Sequence, residues 1–286
     1  MNKKNKDLKI FEDSNKINCR SFLKWVGGKS QLLPELHKRL PNSFNNYFEP
    51  FVGGGALLFS LQPEKAHISD LNLELINCYE VIRDCVDELI LDLRQHRYDQ
   101  EYYYQLRNAD RLDSFEQWSP IQKASRMIFL NKSCFNGLYR LNSKSQFNVP
   151  FGRYTNPTIV DENNLKACSQ FLSGTSIKKA SFLNIESDIA KGDFVYFDPP
   201  YVPLNDTSNF TRYTPSGFGM DMQYELLETC RRLHDRGIMF MLSNSSAPTV
   251  LNLYQDFEIE LVLAKRMINS KAQCRGTINE VIIRNF

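Results

Sequence analysis

Residues 198–201, Asp-Pro-Pro-Tyr, have the types and order that suit chemistry on an amino group attached to a planar ring. The lone pair of such an amine is delocalised into the ring, so a site must accept hydrogen bonds from both N–H groups to localise it. The carboxylate of Asp198 and the backbone carbonyl of Pro199 supply two acceptors, while Pro199 and Pro200 stiffen the turn and bring no competing N–H. The ring of Tyr201 offers a face to a base removed from its stack. Asp-Pro is also common in ordinary turns, which remains an alternative for the tetrapeptide alone.

A glycine turn, Gly53-Gly54-Gly55, follows an apolar segment, and Asp70 ends the next predicted strand 17 residues after Gly53. Glycines allow close approach of backbone to a ligand, and an acid at the second strand end suits ribose hydroxyls. A nicotinamide dehydrogenase uses the same acid, but its G-x-G-x-x-G fingerprint requires glycine where this chain has Leu58. S-adenosylmethionine has no phosphate and fits the looser pattern better. A plain tight turn is the other alternative.

Residues 117–160 contain no Asp or Glu, although six basic residues fall among them: Lys123, Arg126, Lys132, Arg140, Lys144 and Arg153. Such a distribution suits contact with phosphates. Interleaved aromatic and amide side chains offer contacts to base edges. A solvated basic surface is the competing interpretation.

Other chemistry-bearing residues give weaker signals. The four histidines and seven cysteines are dispersed, without a C-x-x-C pair or a His beside a Cys pair, so we interpret them as structural or solvent-facing and predict no metal site. A Ser-Asn-Ser-Ser run at 243–246 ends a predicted strand on the same edge as residues 198–201, but polar strand ends are common.

Apolar periodicity predicts the elements that position these residues. Helical spacing occurs at 32–40, 73–95 and 223–237, and apolar strands are predicted at 47–52, 66–70, 193–197, 238–245 and 280–286. The first two strands open a βαβ unit. Segment 73–95 is predicted as one long amphipathic helix that leaves the α/β core. Residues 99–170, rich in Tyr, Asn, Arg and Ser and without strand alternation, are predicted to form an inserted module.

Composition sets the outer limits. With 286 residues and 42% hydrophobic content the chain can bury a large core, which argues against disorder. The formal net charge of +2 says little about partners. The first 20 residues are polar and lack the apolar stretch of a signal peptide, and no run approaches the ~20 apolar residues that span a bilayer. We therefore expect a soluble, cytoplasmic protein.

Six motifs, taken together and in order, resemble the Dam-type DNA adenine-N6 methyltransferases, especially the GATC-specific modification enzymes of type II restriction-modification systems. They are FLKWVGGK, FEPFVGGGALLF, ISDLN, FNGLYR, FNVPFGRY and VYFDPPY, and the match runs from about Ser21 to the last strand. The resemblance implies an α/β fold with a doubly wound, seven-stranded, Rossmann-like sheet. It also implies a polar leader at 1–20, a catalytic domain at 21–75 and 171–286 that binds S-adenosylmethionine, and a mostly helical target-recognition insertion at 76–170.

The same resemblance assigns site residues position by position. The catalytic residues are those of 198–201, Asp198 also facing the cofactor. The implied cofactor pocket comprises Trp25, Lys29, Glu49, Pro50, Phe51, Gly53, Gly54, Gly55, Asp70 and Phe182. The implied DNA contacts are Lys24, Leu138, Arg140, Pro150 and Arg153, with Asn136 in the turn that enters the duplex near the flipped base. Where many relatives have Asp-Phe for the cofactor adenine, this chain has Ser181-Phe182.

The resulting hypothesis is direct methyl transfer to adenine N6 in double-stranded DNA, without a metal or a covalent enzyme intermediate. Cytosine-C5 chemistry is disfavoured because no Pro-Cys nucleophile is present. Cytosine-N4 methylation is a closer rival, although such sites often have Ser before Pro-Pro. A DNA-binding protein that has lost catalysis is a rival from another class. No dimer is required for a palindrome methylated one strand at a time, so we expect a monomer, with a cognate endonuclease as possible functional partner.

Overall fold

A computed structural model describes residues 16–202, 218–265 and 277–286. Its centre is a seven-stranded sheet with the strand order β3-β2-β1-β4-β5-β7-β6. The strands are β1 (Tyr47–Glu49), β2 (Ala66–Asp70), β3 (Ser176–Lys179), β4 (Phe194–Phe197), β5 (Met239–Ser245), β6 (Glu258–Lys265) and β7 (Thr277–Arg284). Neighbours among β1 to β5 pair in parallel, and β7 runs antiparallel to both β5 and β6. The predicted α/β fold with a seven-stranded doubly wound sheet is confirmed. Of the predicted leader at 1–20, all but 16–20 lies outside the described residues.

The strand order reverses direction between β1 and β4. From β1 the chain moves outward to β2 and β3, whereas β4 and β5 extend the sheet the other way, and Tyr47 of β1 pairs with Phe194 of β4. Open α/β sheets bind their ligands at the carboxyl ends of strands beside such a reversal. Glu49, which ends β1, and Asp198, which follows β4, therefore leave the sheet at its expected binding crevice.

Helices cover both faces of the sheet, which explains why β4 is buried along its whole length. Phe194 and Tyr196 belong to a buried core on one face, and Val195 and Phe197 belong to a core on the opposite face. The first face is covered by α2 (Ala56–Leu61), α3 (Leu73–Asp84), α6 (Pro120–Ser133) and α7 (Glu162–Leu172), the second by α8 (Met220–Asp235) and α9 (Pro248–Leu253). The helix predicted at 32–40 is present as the shorter α1 (Leu33–His37).

The prediction of one long helix over 73–95 that leaves the core is wrong. The segment forms α3 and then α4 (Val86–Leu93), because Cys85 between them has a non-helical backbone, with φ −140° and ψ 41°. Buried side chains of α3 pack in the core on the first face of the sheet. The domain boundary predicted at 75 and 76 consequently falls inside a helix of the sheet layer.

Residues 76–170, for which the resemblance implies a mostly helical insertion, consist of helices joined by loops and short 3₁₀ turns. They include α5 (Gln100–Asn108) and α6, and α6 begins with a capping box in which Ser119 and Gln122 bond each other's backbone. Within the described part of this region only two isolated β-bridges occur, Cys134 with Phe151 and Leu141 with Phe147. These bridges hold a surface loop against the C-terminal end of α6. No helix among the described residues has the length and apolar composition needed to cross a bilayer.

Candidate active site

Two acidic side chains and one lysine meet where β1 and β4 end. Glu49 is buried, Asp198 keeps 19% of its side chain exposed, and the buried Lys29 reaches Asp198 from the loop that precedes α1. Lys29 Nζ lies 2.7 Å from Asp198 Oδ1 and also donates to the carbonyl of Gly27. The sequence prediction placed Lys29 and Asp198 in one site, and the structure brings them into contact across 169 residues of chain.

Burial makes both carboxyl groups less acidic than usual. It raises the pKa of Asp198 to about 6. The positive charge of Lys29 lowers this pKa, and the negative charge of Glu280 raises it by a smaller amount. Burial also raises the pKa of Glu49 to about 8, although the hydroxyl of Tyr47 donates to its carboxylate at 2.7 Å. At neutral pH Glu49 is therefore mostly protonated while Asp198 is mostly ionised. Perturbed carboxyl groups in a crevice are typical of functional sites.

Tyr201 is held by contacts at both its ring and its hydroxyl. The hydroxyl donates to Glu280 Oε2 at 2.8 Å, and Lys29 Nζ lies 4.5 Å from the ring centroid. An ammonium at that distance attracts the negative face of the ring. Lys29 therefore orients both the carboxylate and the aromatic side chain of the 198–201 segment.

Side chains from β5 and α8 fix the backbone of this segment. Gln223 donates to the carbonyl of Pro200 at 3.2 Å, Asn244 accepts from the N–H of Val202 at 3.2 Å, and Ser245 donates to the carbonyl of Val202 at 2.7 Å. Sequence reasoning set the 243–246 run aside and missed Gln223 and Glu280. The available signal was the position of the run at the carboxyl end of a strand, on the edge where residues 198–201 were predicted.

The glycine turn after β1 contacts both Asp70 and Trp25. Gly53 and Gly55 have positive φ angles, and the N–H of Gly53 donates to Asp70 Oδ2 at 3.2 Å. A Cβ on Gly53 would lie 2.7 Å from Cδ1 of Trp25, so a larger residue would displace the indole. Burial raises the pKa of Asp70, whereas the backbone N–H of Asn72 and of Gly53 oppose that rise. Trp25, Gly53 and Asp70 thus form one side of the crevice.

Phe51 and Phe182 lie together at the opposite side of this turn. Their ring centroids are 5.3 Å apart with an interplanar angle of 28°, and Phe182 is buried. Ser181 accepts a hydrogen bond from the N–H of Leu183 at 3.3 Å. Its hydroxyl therefore caps the short 3₁₀ helix of Phe182–Ser187.

The residues predicted to contact DNA come from two paired segments and one neighbouring lysine. The N–H of Phe135 donates to the carbonyl of Pro150 at 2.8 Å, and the N–H of Asn148 donates to the carbonyl of Arg140 at 3.0 Å. We define the recognition surface as Lys24, Asn136, Leu138, Arg140, Pro150 and Arg153. Four of these, Lys24, Asn136, Pro150 and Arg153, are exposed, and the other two are half-buried.

Not all basic residues of segment 117–160, which contains no Asp or Glu, are accessible to a ligand. Arg126 is 1% exposed, pairs with Asp110 at 2.8 Å and donates to the carbonyls of Leu106 and Arg107, so its interpretation as a phosphate contact is wrong. Lys132 is half-buried, and burial lowers its pKa. Lys144 is exposed and remains a candidate phosphate contact.

Comparison with known proteins identifies the family. Residues 25–268 match the model of the D12 class N6 adenine-specific DNA methyltransferases. The chain belongs to that family. It is 47% identical to a type II methyltransferase of Lactococcus lactis subsp. cremoris over 95% of this chain and 97% of the relative. It is 43% identical to a type II methyltransferase of Methanocaldococcus jannaschii over 94% of this chain and the whole relative. A DNA adenine methylase of Haemophilus influenzae is 31% identical over 93% of this chain and 94% of its own length.

Family membership makes the chain a DNA adenine-N6 methyltransferase and implies S-adenosylmethionine as methyl donor. The cytosine-N4 and nicotinamide alternatives are thereby displaced. The crevice fits such a donor for two reasons. Its glycine turn has no room for added Cβ atoms, and its acid, Asp70, keeps lone pairs for ribose hydroxyls.

Proposed function

We propose that this methyltransferase modifies the adenine of GATC in double-stranded DNA and uses Asp198 and Pro199 to hold the N6 amine. The observation that supports this site most directly is the partly exposed Asp198 carboxylate, fixed by Lys29 beside the buried Glu49 at the reversal of the sheet. Bound S-adenosylmethionine supplies an electrophilic methyl group. The Asp198 carboxylate and the Pro199 carbonyl accept the two N6 hydrogens, which localises the amine lone pair for attack. Tyr201 stacks on the flipped base through the ring face turned away from Lys29.

The GATC assignment and the biological role rest on the resemblance and on the names of relatives. Arg140 and Leu138 lie on the recognition surface, where an arginine fork suits guanine and an apolar side chain suits the thymine methyl. Because two relatives are named type II methyltransferases, we propose that the chain protects DNA from a cognate endonuclease. We place it in the cytoplasm as a monomer, with target recognition in the region between α4 and α7.

The direct test is to map the product. Purified protein is incubated with plasmid and labelled S-adenosylmethionine, and the modified base is identified together with its sequence context. N6-methyladenine confined to GATC supports the proposal, whereas methylation of another sequence refutes the site assignment while leaving the chemistry intact.

The raised pKa of Asp198 predicts the pH dependence of the reaction. Only the ionised carboxylate accepts freely, so kcat/KM should rise with pH through a midpoint near the Asp198 pKa of about 6. Lys29 lowers this pKa and Glu280 raises it, so Lys29→Met should move the midpoint upward and Glu280→Gln should move it downward. Profiles of kcat/KM between about pH 5 and pH 8 measure this midpoint. Shifts in the same direction for both variants would contradict the assignment.

We expect Asp70→Ala to weaken S-adenosylmethionine binding about tenfold, because the ribose hydroxyls and the Gly53 N–H lose an acceptor. Calorimetry measures the affinity. Asp193→Ala is the matched control. Asp193 also accepts backbone N–H groups, from Asn46 and Ala190, but it lies at the amino end of β4, away from the crevice. Equal losses in both variants would show that Asp70 acts only through stability.

We expect Lys144→Ala to weaken binding to every duplex similarly and to reduce the salt slope by about one unit, as the loss of one phosphate contact requires. Fluorescence anisotropy at several salt concentrations measures both quantities. Lys65→Ala is the control, because Lys65 is exposed at the amino end of β2, whereas the crevice lies at the carboxyl ends of the strands. A change of sequence preference with an unaltered slope would mean that Lys144 contacts bases instead.

A further inference from the structure

Asn131 is a buried asparagine of α6 whose side chain bonds two separate backbone segments. Its Oδ1 accepts from the N–H of Lys24 at 2.9 Å, and its Nδ2 donates to the carbonyls of Lys24 at 2.9 Å and Gly137 at 3.0 Å. Lys24 and Gly137 are far apart in the chain. The amide of Asn131 therefore holds the N-terminal segment of residues 24–29 against the turn of residues 135–140.

Side-chain contacts join the same two segments. The rings of Trp25 and Tyr139 stack with centroids 5.1 Å apart and an interplanar angle of 23°. A Cβ on Gly137 would collide with Cδ of Lys24, so the lysine stem occupies the space that a larger residue would need. The two segments are therefore joined by side-chain contacts as well as by Asn131.

The first segment leads to the cofactor turn and the catalytic residues, with Lys24 at its start on the recognition surface, and the second leads to the recognition surface alone. In the first, Trp25 packs against Gly53 of the cofactor turn, and Lys29 contacts Asp198. The second contains Asn136, Leu138 and Arg140 of the recognition surface, and Asn136 has a positive φ of 58°, a left-handed conformation that asparagine adopts more readily than most residues other than glycine. Asn131 itself, 1% exposed, reaches neither the crevice nor the duplex face.

We propose that Asn131 is a positioning residue that couples cofactor binding to duplex binding. The first ligand to bind orders residues 24–29 and 135–140 together, so the second ligand finds its own segment already in place. This inference rests on the proposed contact of the recognition surface with DNA. Linkage requires the effect to be reciprocal, so each ligand tightens the binding of the other by the same factor.

The test measures the affinity of the full chain for S-adenosylhomocysteine, alone and with saturating duplex that carries the sequence mapped as the substrate. We expect the duplex to tighten binding about tenfold in the unsubstituted protein. Asn131→Ala should reduce that factor to about twofold or less, because the Lys24 and Gly137 backbones lose their common partner.

Asn164 of α7 provides a matched control. It bonds the backbone of Arg20 as Asn131 bonds that of Lys24, accepting from the N–H at 2.9 Å and donating to the carbonyl at 3.0 Å, but it does not bond the recognition turn. Asn164→Ala should therefore lower the melting temperature by a similar amount and keep the tenfold factor.

Three outcomes would overturn the proposal: no coupling in the unsubstituted protein, an unchanged factor in Asn131→Ala, or an equal loss in both asparagine variants. If Asn131→Ala does not fold, Tyr139→Leu removes the ring stacked on Trp25 and should also reduce the factor; retention of the full factor then refutes the inference. Failure of the underlying DNA placement gives a different result, since Arg140→Ala would then leave the affinity for duplex unchanged.

Discussion

Replacement of Asp198 by alanine is expected to lower kcat by at least about a hundredfold to a thousandfold, while the affinity for duplex stays within about tenfold. The carboxylate is assigned to the amine in the transition state, so its loss should appear in the chemical step and not in DNA binding. The substitution also leaves the buried Lys29 without its carboxylate partner at 2.7 Å. Single-turnover methylation with saturating duplex and cofactor measures the chemical step directly.

Asp198→Asn separates the two properties of this side chain. Asparagine keeps one acceptor oxygen but removes the negative charge, so it should retain part of the activity that alanine loses. It should also abolish the ionisation near pH 6, because no group with the Asp198 pKa of about 6 remains. An equal fall in duplex affinity and in kcat for both variants would show that Asp198 supports the fold of the crevice and not the reaction.

The Asp198 motif was predictable because its chemistry is contiguous in the chain and follows an unmistakably apolar strand. The partners that orient it were not. Glu280 reaches Tyr201 only because β7 inserts between β5 and β6, and Gln223 reaches Pro200 only because α8 packs on β5, the strand beside β4. Such contacts depend on the order of elements in space, which local periodicity does not contain.

Two strands and one helix break escaped prediction for local reasons. β3 is a short edge strand with two exposed lysines, and exposed Leu261 and Leu263 on the edge strand β6 blur its alternation. The break at Cys85 interrupts an apolar pattern that continues at helical spacing on both sides. Tertiary packing, not sequence periodicity, decides these boundaries.

The distribution of charge along the chain did not predict which basic residues of 117–160 are exposed. Residues 117–160 contain no acid, yet Asp110 and Glu74 from outside the window approach Arg126 in the fold. A buried arginine held by two carboxylates and two carbonyls cannot meet a phosphate. The predicted DNA contacts that stay accessible are Lys24 and residues of the paired loop segments, on which the half-buried Arg140 lies.

Arg140→Ala is expected to cost about 1 to 3 kcal/mol of discrimination at one guanine of the recognised sequence, and to raise the relative methylation of sites that differ there. The structure orients this guanidinium before DNA arrives. Nε donates to the side-chain oxygen of Asn148 at 2.6 Å, and Nη2 donates to its backbone carbonyl at 3.1 Å. The two hydrogens of Nη1 and the second of Nη2 then form a fork that matches the O6 and N7 acceptors of guanine.

This geometry makes Asn148→Ala the informative companion variant. It keeps the positive charge of Arg140 but removes the Nε contact that fixes the fork, so it should relax selectivity at the same guanine by a smaller factor. The measurement is kcat/KM on the mapped sequence and on duplexes with each single substitution. A guanine contact gives relaxation at one position with the other positions still selective. A phosphate contact gives equal proportional losses on every duplex, because charge alone carries no sequence information, and that result would refute the guanine assignment for Arg140.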